Sequence, residues 1–204
     1  EAWFNEKFAT LAPAPTLPTG FGALAVGLMT AAPVAASTAT AFAALARAVV
    51  GDGGSILLPE SDPLLANPAF RREVLGDVPP HATLAYGQPL VQPGFHVVAT
   101  ETDHWVENVT GLGGCGAQLF LTVVRDHARQ GHPLLSVIQV AEVDQRGVLP
   151  ADDVDGFLTG RPAEDEALLS RLLAAVAQRE QSTVSAAQGF IDFQLTRGLL
   201  GVST

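Results

Sequence analysis

Residues 107–140 constrain the fold of this chain more than any other segment. They begin with polar residues typical of a helix start, pass through several glycines, and then hold two apolar runs at 118–124 and 134–140. A charged loop separates the two runs. Apolar runs of this length are typical of strands buried on both faces of a parallel sheet, and such sheets carry their functional groups in the loops at strand ends. The segment therefore predicts an α/β sheet with candidate site residues in the charged loop.

A strand, a helix and a second strand near the N-terminus predict the same class of fold. Residues 21–29 are largely apolar, residues 35–50 are rich in alanine, and residues 55–59 are again apolar. This succession is typical of a parallel strand–helix–strand unit whose helix packs on the sheet. We therefore predict a three-layer, mostly parallel Rossmann-like sheet with helices on both faces.

The remaining segments indicate one domain with an extension. Residues 1–20 contain three prolines and little periodicity, which indicates an N-terminal arm, and residues 21–204 are predicted to form a single α/β domain. Hydrophobic periodicity and capping residues predict further elements. These are helices at 63–75, 105–113 and 164–181, extended runs at 83–86 and 96–99, and a last helix or arm at 190–200.

Charge and hydropathy exclude two classes of partner. The formal net charge of −10 argues against nucleic acid, because phosphate backbones are bound by a positive field. Every apolar run is interrupted before the roughly 18 residues that a membrane span requires. A single cysteine, Cys115, and an acidic start without an apolar signal segment predict a cytoplasmic protein without disulfides.

A series of short motifs carries a resemblance to a known family. The motifs are Leu24-Ala25-Val26-Gly27-Leu28 before an alanine-rich helix, Gly53-Gly54 before residues 55–60, Tyr86-Gly87-Gln88-Pro89, the helix start 107–111, the strand 117–124, and Leu158-Thr159-Gly160 before an acidic helix. In this order, from about residue 24 onwards, the chain resembles the C-terminal catalytic portion of the altronate and galactarate dehydratases. The resemblance implies an α/β fold, a carbon–oxygen hydro-lyase acting on a small hydroxy or sugar acid, and a divalent metal such as iron as cofactor.

Several motifs of that family are replaced in this chain. Thr30-Ala31-Ala32-Pro33-Val34 stands where the family has Cys-Gly-Gly-Ser-Asp, and only residues 77–81 stand where the family has a longer Asn- and Gly-rich stretch. Because the Thr30 hydroxyl cannot replace a thiolate as a soft metal ligand, we assign no metal ligands and expect iron-dependent dehydration to be weak or lost. The alternatives to a divergent hydro-lyase are a catalytically silent relative that serves as an assembly or regulatory subunit, and a binding domain without turnover.

Charged and polar side chains near predicted strand ends are the candidate site residues. Dehydration of a sugar acid requires a base for the proton beside the carboxylate, an acid for the departing hydroxyl, and cationic or amide groups that hold the carboxylate. The candidate groups form two clusters, Asp103, His104 and Glu107, and Arg125, Asp126, His127, Arg129 and His132. We assign catalytic roles to Glu60, His104, Arg125 and His127, and substrate-binding roles to Asn108, Thr110, Arg129 and His132. The assignment requires that both clusters lie at the same edge of the sheet.

Each of these residues also has a structural interpretation. The loop charges can be solvated, His132 can cap a turn, and Glu60 can contribute to a helix cap with the two residues after it. Asn108 and Thr110 can cap the helix that they begin. For Cys115, packing among glycines is favoured over a nucleophilic role. The expected ligand is a small acidic molecule, and the alanine- and leucine-rich surface predicts a homo-oligomer or an interaction with a partner subunit.

Overall fold

The sheet has six strands that follow one another from residue 25 to residue 157. The structure is a computed structural model that describes residues 20–76, 78–100 and 102–194. The strands are β1 (Ala25–Thr30), β2 (Ser55–Pro59), β3 (Gly94–Val98), β4 (Leu119–Val124), β5 (Ser136–Ala141) and β6 (Gly156–Phe157).

The strand order creates a switch point in the middle of the sheet. All pairs are parallel and the order is β3-β2-β1-β4-β5-β6. The chain builds outward from β1 to β3 and then returns to place β4 on the other side of β1, with Thr30 beside Val123. In sheets of this order, ligands bind in the crevice where the order reverses. The predicted parallel, Rossmann-like sheet is confirmed.

Helices cover both faces of the sheet, as predicted. They are α1 (Ala36–Gly51), α2 (Pro63–Ala66), α3 (Pro68–Val74), α4 (Trp105–Cys115), α5 (Pro162–Ala177) and α6 (Val184–Ala187), with single 3-10 turns at Phe21–Ala23, Val143–Gln145 and Ala151–Asp153. α1 packs against α3 and α5 in the larger core cluster, whereas α4 packs in a separate cluster on the opposite face. None of the helices among these residues is long and apolar enough to cross a membrane.

Burial on both faces explains why the strands are apolar without alternation. Every residue of β2 and of β4 is buried. Neighbouring residues of β4 point to opposite faces, so that Phe120 belongs to the cluster around α4 and Leu121 to the cluster around α1. Each side chain of such a strand therefore packs against a covering helix or loop. A polar side chain at most of these positions would lower the stability of the fold.

The predicted helix at 63–75 is divided into two short helices. Asn67 lies between them in an extended conformation, with φ −75° and ψ 120°. Pro68 disfavours helical geometry at the residue before it, and the Asn67 side chain accepts a hydrogen bond from the Ala69 N–H at 3.0 Å. Two capped helices therefore replace one. The extended run predicted at 83–86 forms only an isolated bridge between Leu84 and Val98.

α4 approaches its neighbours through small residues. A Cβ atom added at Gly111 would overlap the ring of Tyr86, whose hydroxyl donates to the Glu107 carbonyl at 2.6 Å. Cys115 at the end of α4 is fully buried, and its thiol donates to the Ala85 carbonyl at 3.6 Å. The Cys115 thiol therefore packs as expected, and burial raises its pKa. These contacts fix the position of α4, whose first turn lies at the carboxyl edge of the sheet.

The two ends of the chain lie largely outside the described residues. The predicted arm at 1–20 does so except for Gly20, and so does the part of 190–200 beyond residue 194. Residues 190–194 run beside the loop between β4 and β5. The Gly131 N–H donates to the Phe190 carbonyl at 2.9 Å, and the Asp192 N–H donates to the Gly131 carbonyl at 3.1 Å.

Candidate functional site

A cavity of about 550 Å³ opens at the carboxyl edge of the sheet, beside the switch point between β1 and β4. Its walls come from the ends of β1 and β2, from the start of α4, and from the loop after β4. The lining residues of this switch-point cavity are Met29, Thr30, Ala31, Pro59, Ser61, Asp62, Pro63, Asp103, His104, Trp105, Asn108, Arg129 and Gln130. The volume lies within the range of about 300–1,000 Å³ that is typical of small-molecule sites.

Asp62 is the buried carboxyl of the cavity. Its side chain is the N-cap of α2 and accepts from the Leu64 N–H at 2.9 Å. It also accepts from the Thr30 N–H at 2.7 Å and from the Thr30 hydroxyl at 3.0 Å, so it joins α2 to the end of β1. Burial raises the pKa of Asp62 to about 6, although these three donors act in the opposite direction. The carboxyl is therefore able to gain or lose a proton close to neutral pH.

Arg129 is the cationic group of the cavity. Its backbone is held by the buried amide of Gln139 in β5, which accepts from the Arg129 N–H at 2.7 Å and donates to the Arg129 carbonyl at 2.7 Å. The side chain is partly buried, and its Nε has no hydrogen-bond partner among the described residues. No carboxylate in that part of the chain lies within ion-pair distance of Arg129. Arg129 is therefore a lining residue of the cavity whose positive charge has no counter-ion among these residues.

The first turn of α4 forms another wall of the switch-point cavity. Its N-cap residue, His104, is exposed, and the His104 N–H donates to the Thr102 hydroxyl at 3.0 Å. The Trp105 ring nitrogen donates to the Gln130 carbonyl at 3.0 Å, which fastens this turn to the loop carrying Arg129. Asn108 is buried and donates to the Thr102 carbonyl at 3.1 Å, while its Oδ1 has no partner within the described part of the chain. The free N–H groups of a helix start carry partial positive charge, which favours an anion nearby.

Three of the predicted site residues meet in this cavity: His104, Asn108 and Arg129. His104 comes from the first predicted cluster and Arg129 from the second, so the structure brings one member of each cluster to the same edge of the sheet. Asp103, which belongs to the first cluster, lines the cavity as well. The remaining predicted residues, Glu60, Thr110, Arg125, His127 and His132, lie outside its lining.

Arg125 and His127 lie in the same loop as Arg129 but have other surroundings. The Arg125 guanidinium lies 2.6 Å from the Asp144 carboxylate and 3.5 Å from the Glu142 carboxylate. The hydrogen bond from Arg125 lowers the pKa of Asp144. His127 is exposed, and its backbone N–H donates to the Arg125 carbonyl at 2.7 Å. These contacts give Arg125 a structural role in the loop and leave His127 at the surface, as the solvated interpretation expected.

The structure also places three other predicted site residues away from a ligand site. They are Glu60, Thr110 and His132. Glu60 is exposed, and the cap of the following helix is Asp62 instead. The Thr110 hydroxyl donates back to the Val106 carbonyl within α4 at 2.9 Å. His132 is buried and caps a turn, because its Nδ1 accepts from the Leu134 N–H at 3.2 Å. Burial lowers the pKa of His132, which favours the neutral ring that this hydrogen bond requires.

Asp62 is the cavity residue whose role the sequence interpretation missed. Its position directly after a buried strand and before a proline marked it as a helix cap, and it is one. The same position places its carboxyl at the switch point, beside Thr30 at the end of β1. A carboxylate a few residues after a buried parallel strand is therefore the signal that could have identified it.

The described residues do not fit the metal that the family resemblance implies. No group of three or more His, Cys, Asp or Glu side chains within residues 20–76, 78–100 and 102–194 is arranged to hold a metal ion. The Thr30 hydroxyl, at the position where the resemblance places a cysteine, donates to Asp62. We therefore derive no chemical step through a metal.

Comparison with known proteins assigns no family to the chain. No family model matches it, and no curated protein matches it. The functional interpretation therefore depends on the residues of the switch-point cavity.

Proposed function

We propose that this chain binds a small hydroxy or sugar acid in the switch-point cavity, as a divergent relative of the altronate and galactarate dehydratases. The observation that carries the proposal is that Arg129 is a lining residue of the cavity and that its guanidinium has no counter-ion among the described residues. A guanidinium presents parallel N–H donors that match a carboxylate. The carboxylate of the ligand is therefore assigned to Arg129.

The other polar groups of the cavity favour a ligand that also carries hydroxyl groups. Asp62 and Asp103 are hydrogen-bond acceptors when ionised, and the Ser61 hydroxyl can accept or donate. Two carboxyl groups beside one arginine would repel a ligand that has only negative charge. They would accept hydrogen bonds from hydroxyl groups next to a bound carboxylate. A hydroxy acid satisfies both sets of groups.

The hydro-lyase reaction that the family resemblance implies requires a base and an acid in this cavity. The base removes the proton from the carbon beside the carboxylate, and the hydroxyl leaves the next carbon as water after it receives a proton. The resulting enol then becomes a 2-keto-3-deoxy acid. Asp62, with a pKa of about 6, is able to exchange a proton in the neutral range, and the His104 imidazole is the second cavity group that we assign to proton transfer. Arg129 would stabilise the charge that develops on the ligand carboxylate.

The second candidate function is a catalytically silent relative that serves as an assembly or regulatory subunit. The contacts of Asp62 support this second candidate. Three donors of the protein already hydrogen-bond to its carboxyl, which gives the group a structural role. The ion pairs of Arg125 support it as well, since they remove a predicted catalytic group from the cavity. A third possibility is a domain that binds the acid without converting it.

Calorimetric titration of the chain with galactarate, tartrate and malate tests the binding proposal. Galactitol provides a neutral comparison that has the hydroxyl groups of galactarate but no carboxylate. We expect at least one acid to bind the wild type and the Arg171→Gln variant, because Arg171 lies exposed on α5. The Arg129→Gln variant should bind that acid at least about ten-fold more weakly, which corresponds to the loss of one charge-assisted contact. Equal binding by both variants, or binding of galactitol alone, would contradict the proposal.

Product analysis separates the enzyme from the silent relative. Incubation of the wild type with galactarate or tartrate, which carry hydroxyl groups on both of the carbons that the reaction uses, with and without ferrous iron, is followed by detection of the 2-keto-3-deoxy acid. Product that disappears in the Arg129→Gln variant supports the hydro-lyase, and binding without product supports a binding domain. We expect added iron to have little effect because Thr30 replaces the family cysteine. Strong iron-dependent turnover would show that this expectation is wrong.

A further inference from the structure

Residues 190–194, which we call the strap, lie against the loop that carries Arg129. The Gly131 N–H donates to the Phe190 carbonyl at 2.9 Å, and the Gly131 carbonyl accepts from the Asp192 N–H at 3.1 Å. Gly131 follows Arg129 by two residues in this loop. Two backbone hydrogen bonds therefore join the strap to a loop that lines the switch-point cavity.

His132 adds a side-chain contact between this loop and the strap. Only 6% of the residue is exposed, and its ring packs against the Phe193 ring, with the centroids 5.4 Å apart and the planes inclined by 63°. Its Nδ1 accepts from the Leu134 N–H at 3.2 Å, so the proton of the neutral ring is on Nε2. The Nε2 atom has no partner among the described residues. The contact with the strap therefore depends on a neutral imidazole in one tautomer.

A second proton on His132 finds no hydrogen-bond acceptor at this place. It would bind Nδ1, and the new N–H would oppose the Leu134 N–H, which already points at the same atom. The Nε2–H has no carbonyl or carboxylate partner in the described part of the chain. A buried cation without such partners is costly, so the charged ring is favoured where it reaches water. Burial lowers the pKa of His132 for this reason.

The charged groups of the neighbouring elements do not offset this cost. Desolvation is the cause of the lowered pKa of His132, and no charged group contributes to it. Hydrogen bonds within the strap lower the pKa of Asp192, and this carboxylate interacts electrostatically with His104. Asp155 accepts from the first residue of α6, which itself carries no charged side chain, and burial raises the pKa of Asp155. Arg129, in the loop itself, adds a positive charge that disfavours a second one.

We propose that His132 is a pH-dependent latch, whose neutral ring holds the strap on the loop that carries Arg129 and whose protonation releases the strap. Because the latched ring has a lowered pKa, the latch is closed above the ordinary histidine value of 6.5 and opens as the pH falls below it. Opening removes the contact with Phe193 and weakens the two backbone hydrogen bonds of Gly131. The latch goes beyond the proposed function, because it does not depend on which molecule occupies the cavity.

Hydrogen exchange of the Gly131 and Asp192 amides, measured by NMR at pH 7.5 and at pH 5, tests the latch. Each rate is divided by the intrinsic rate at the same pH, and the amides of β4 report global unfolding. We expect the protection of both amides in the wild type to fall at least about three-fold at the lower pH. The upper limit is about 30-fold, which is set by proton binding to a released histidine with the ordinary pKa of 6.5. The protection of β4 should not fall.

The His132→Asn variant is designed to keep the turn and to remove the titratable ring. An amide oxygen can accept from the N–H two residues ahead, as the Asn67 side chain does from the Ala69 N–H at 3.0 Å. In this variant the protection of the two amides should not depend on pH. His127→Asn removes an exposed histidine from the same loop and should behave as the wild type does.

Two results would overturn the latch. Equal protection of the Gly131 and Asp192 amides in the wild type at both pH values would show that protonation does not release the strap. The same fall in His132→Asn would assign the effect to another group, such as Asp155. Where His132→Asn does not fold, the ring signals of His132 in the wild type, assigned through their contact with Phe193, are followed over the same pH range. A titration midpoint that coincides with the loss of protection supports the latch, and a midpoint at a different pH overturns it.

Discussion

At the scale of single residues, Asp62 connects the stability of the chain to its candidate chemistry. The carboxyl holds the end of β1 and the start of α2 together through three hydrogen bonds, and only 5% of the residue is exposed. Burial makes its ionised form costly, which is the reason for its raised pKa. A group of this kind contributes to stability and can also exchange a proton with a ligand.

The stability of the chain should depend on pH through Asp62. The pKa is about 6 in the folded chain and 3.8 as the ordinary value, so the folded chain binds this proton more tightly. The stabilisation is fully present below about pH 4 and is lost as the pH rises through 6. The unfolding free energy of the wild type, relative to Asp62→Asn, should fall by up to about 3 kcal/mol between pH 4 and 7. Denaturant titrations at several pH values measure this difference, and a constant difference would contradict the prediction.

The roles of single residues were only partly predictable from the sequence. Arg125 and Arg129 lie four residues apart in one loop, and both were assigned to the site. Asp144, after β5, binds the first of them, and Gln139 in β5 holds the backbone of the second. The difference depends on side chains that are 10 to 19 residues away, so local spacing could not reveal it.

At the scale of elements, α4 depends on glycine where it faces Tyr86. The Gly111→Ala variant would force the Tyr86 ring against α4, and this ring is anchored by its hydrogen bond to Glu107. We expect a loss of about 1–3 kcal/mol in unfolding free energy, which is typical of overpacking. The Gly51→Ala variant is the matched control, because a Cβ at the end of α1 meets no atom within 4 Å. Denaturant unfolding compares the two, and equal stability of both variants would contradict this account of α4.

Long apolar elements were predictable, whereas short ones were not. The strand at 55–59 and the helix at 35–50 agree with β2 and α1 to within one residue, because burial on both sides requires uninterrupted apolar sequence. β6 has only two residues, Gly156 and Phe157, and a strand this short leaves no run of apolar residues by which the sequence could reveal it. The break at Asn67 was missed because a proline can begin a helix as well as end one.

At the scale of the whole molecule, the candidate site arises from the strand order. Thr30, Asp62, His104 and Arg129 are far apart in sequence and meet because the strands that they end or follow, β1, β2, β3 and β4, are neighbours in one parallel sheet. The sequence predicted this class of sheet, and it predicted candidate residues at the edge where the cavity opens. It could not predict which side chains converge, since that depends on the register and on the tilt of α4.

Exposed apolar side chains make self-association an expected property of the molecule. Phe190, Ile191 and Phe193 are each more than 40% exposed and follow one another beside the loop between β4 and β5. Such groupings commonly mark interaction surfaces. We expect a homo-oligomer in light scattering coupled to gel filtration, and a reduced mass for a Phe190→Ser variant relative to Val91→Ser. Val91 is a control because it is exposed and lies before β3. A monomeric wild type would contradict the expectation.

The central claim is that Arg129 receives the carboxylate of a hydroxy acid in the switch-point cavity. A crystal structure with a saturating concentration of the tightest-binding acid tests it most directly. The account predicts a carboxylate in contact with the Arg129 guanidinium, and ligand hydroxyl groups directed at Asp62 or Asp103. An empty cavity, or a ligand bound elsewhere while Arg129 pairs with Asp103, would contradict it.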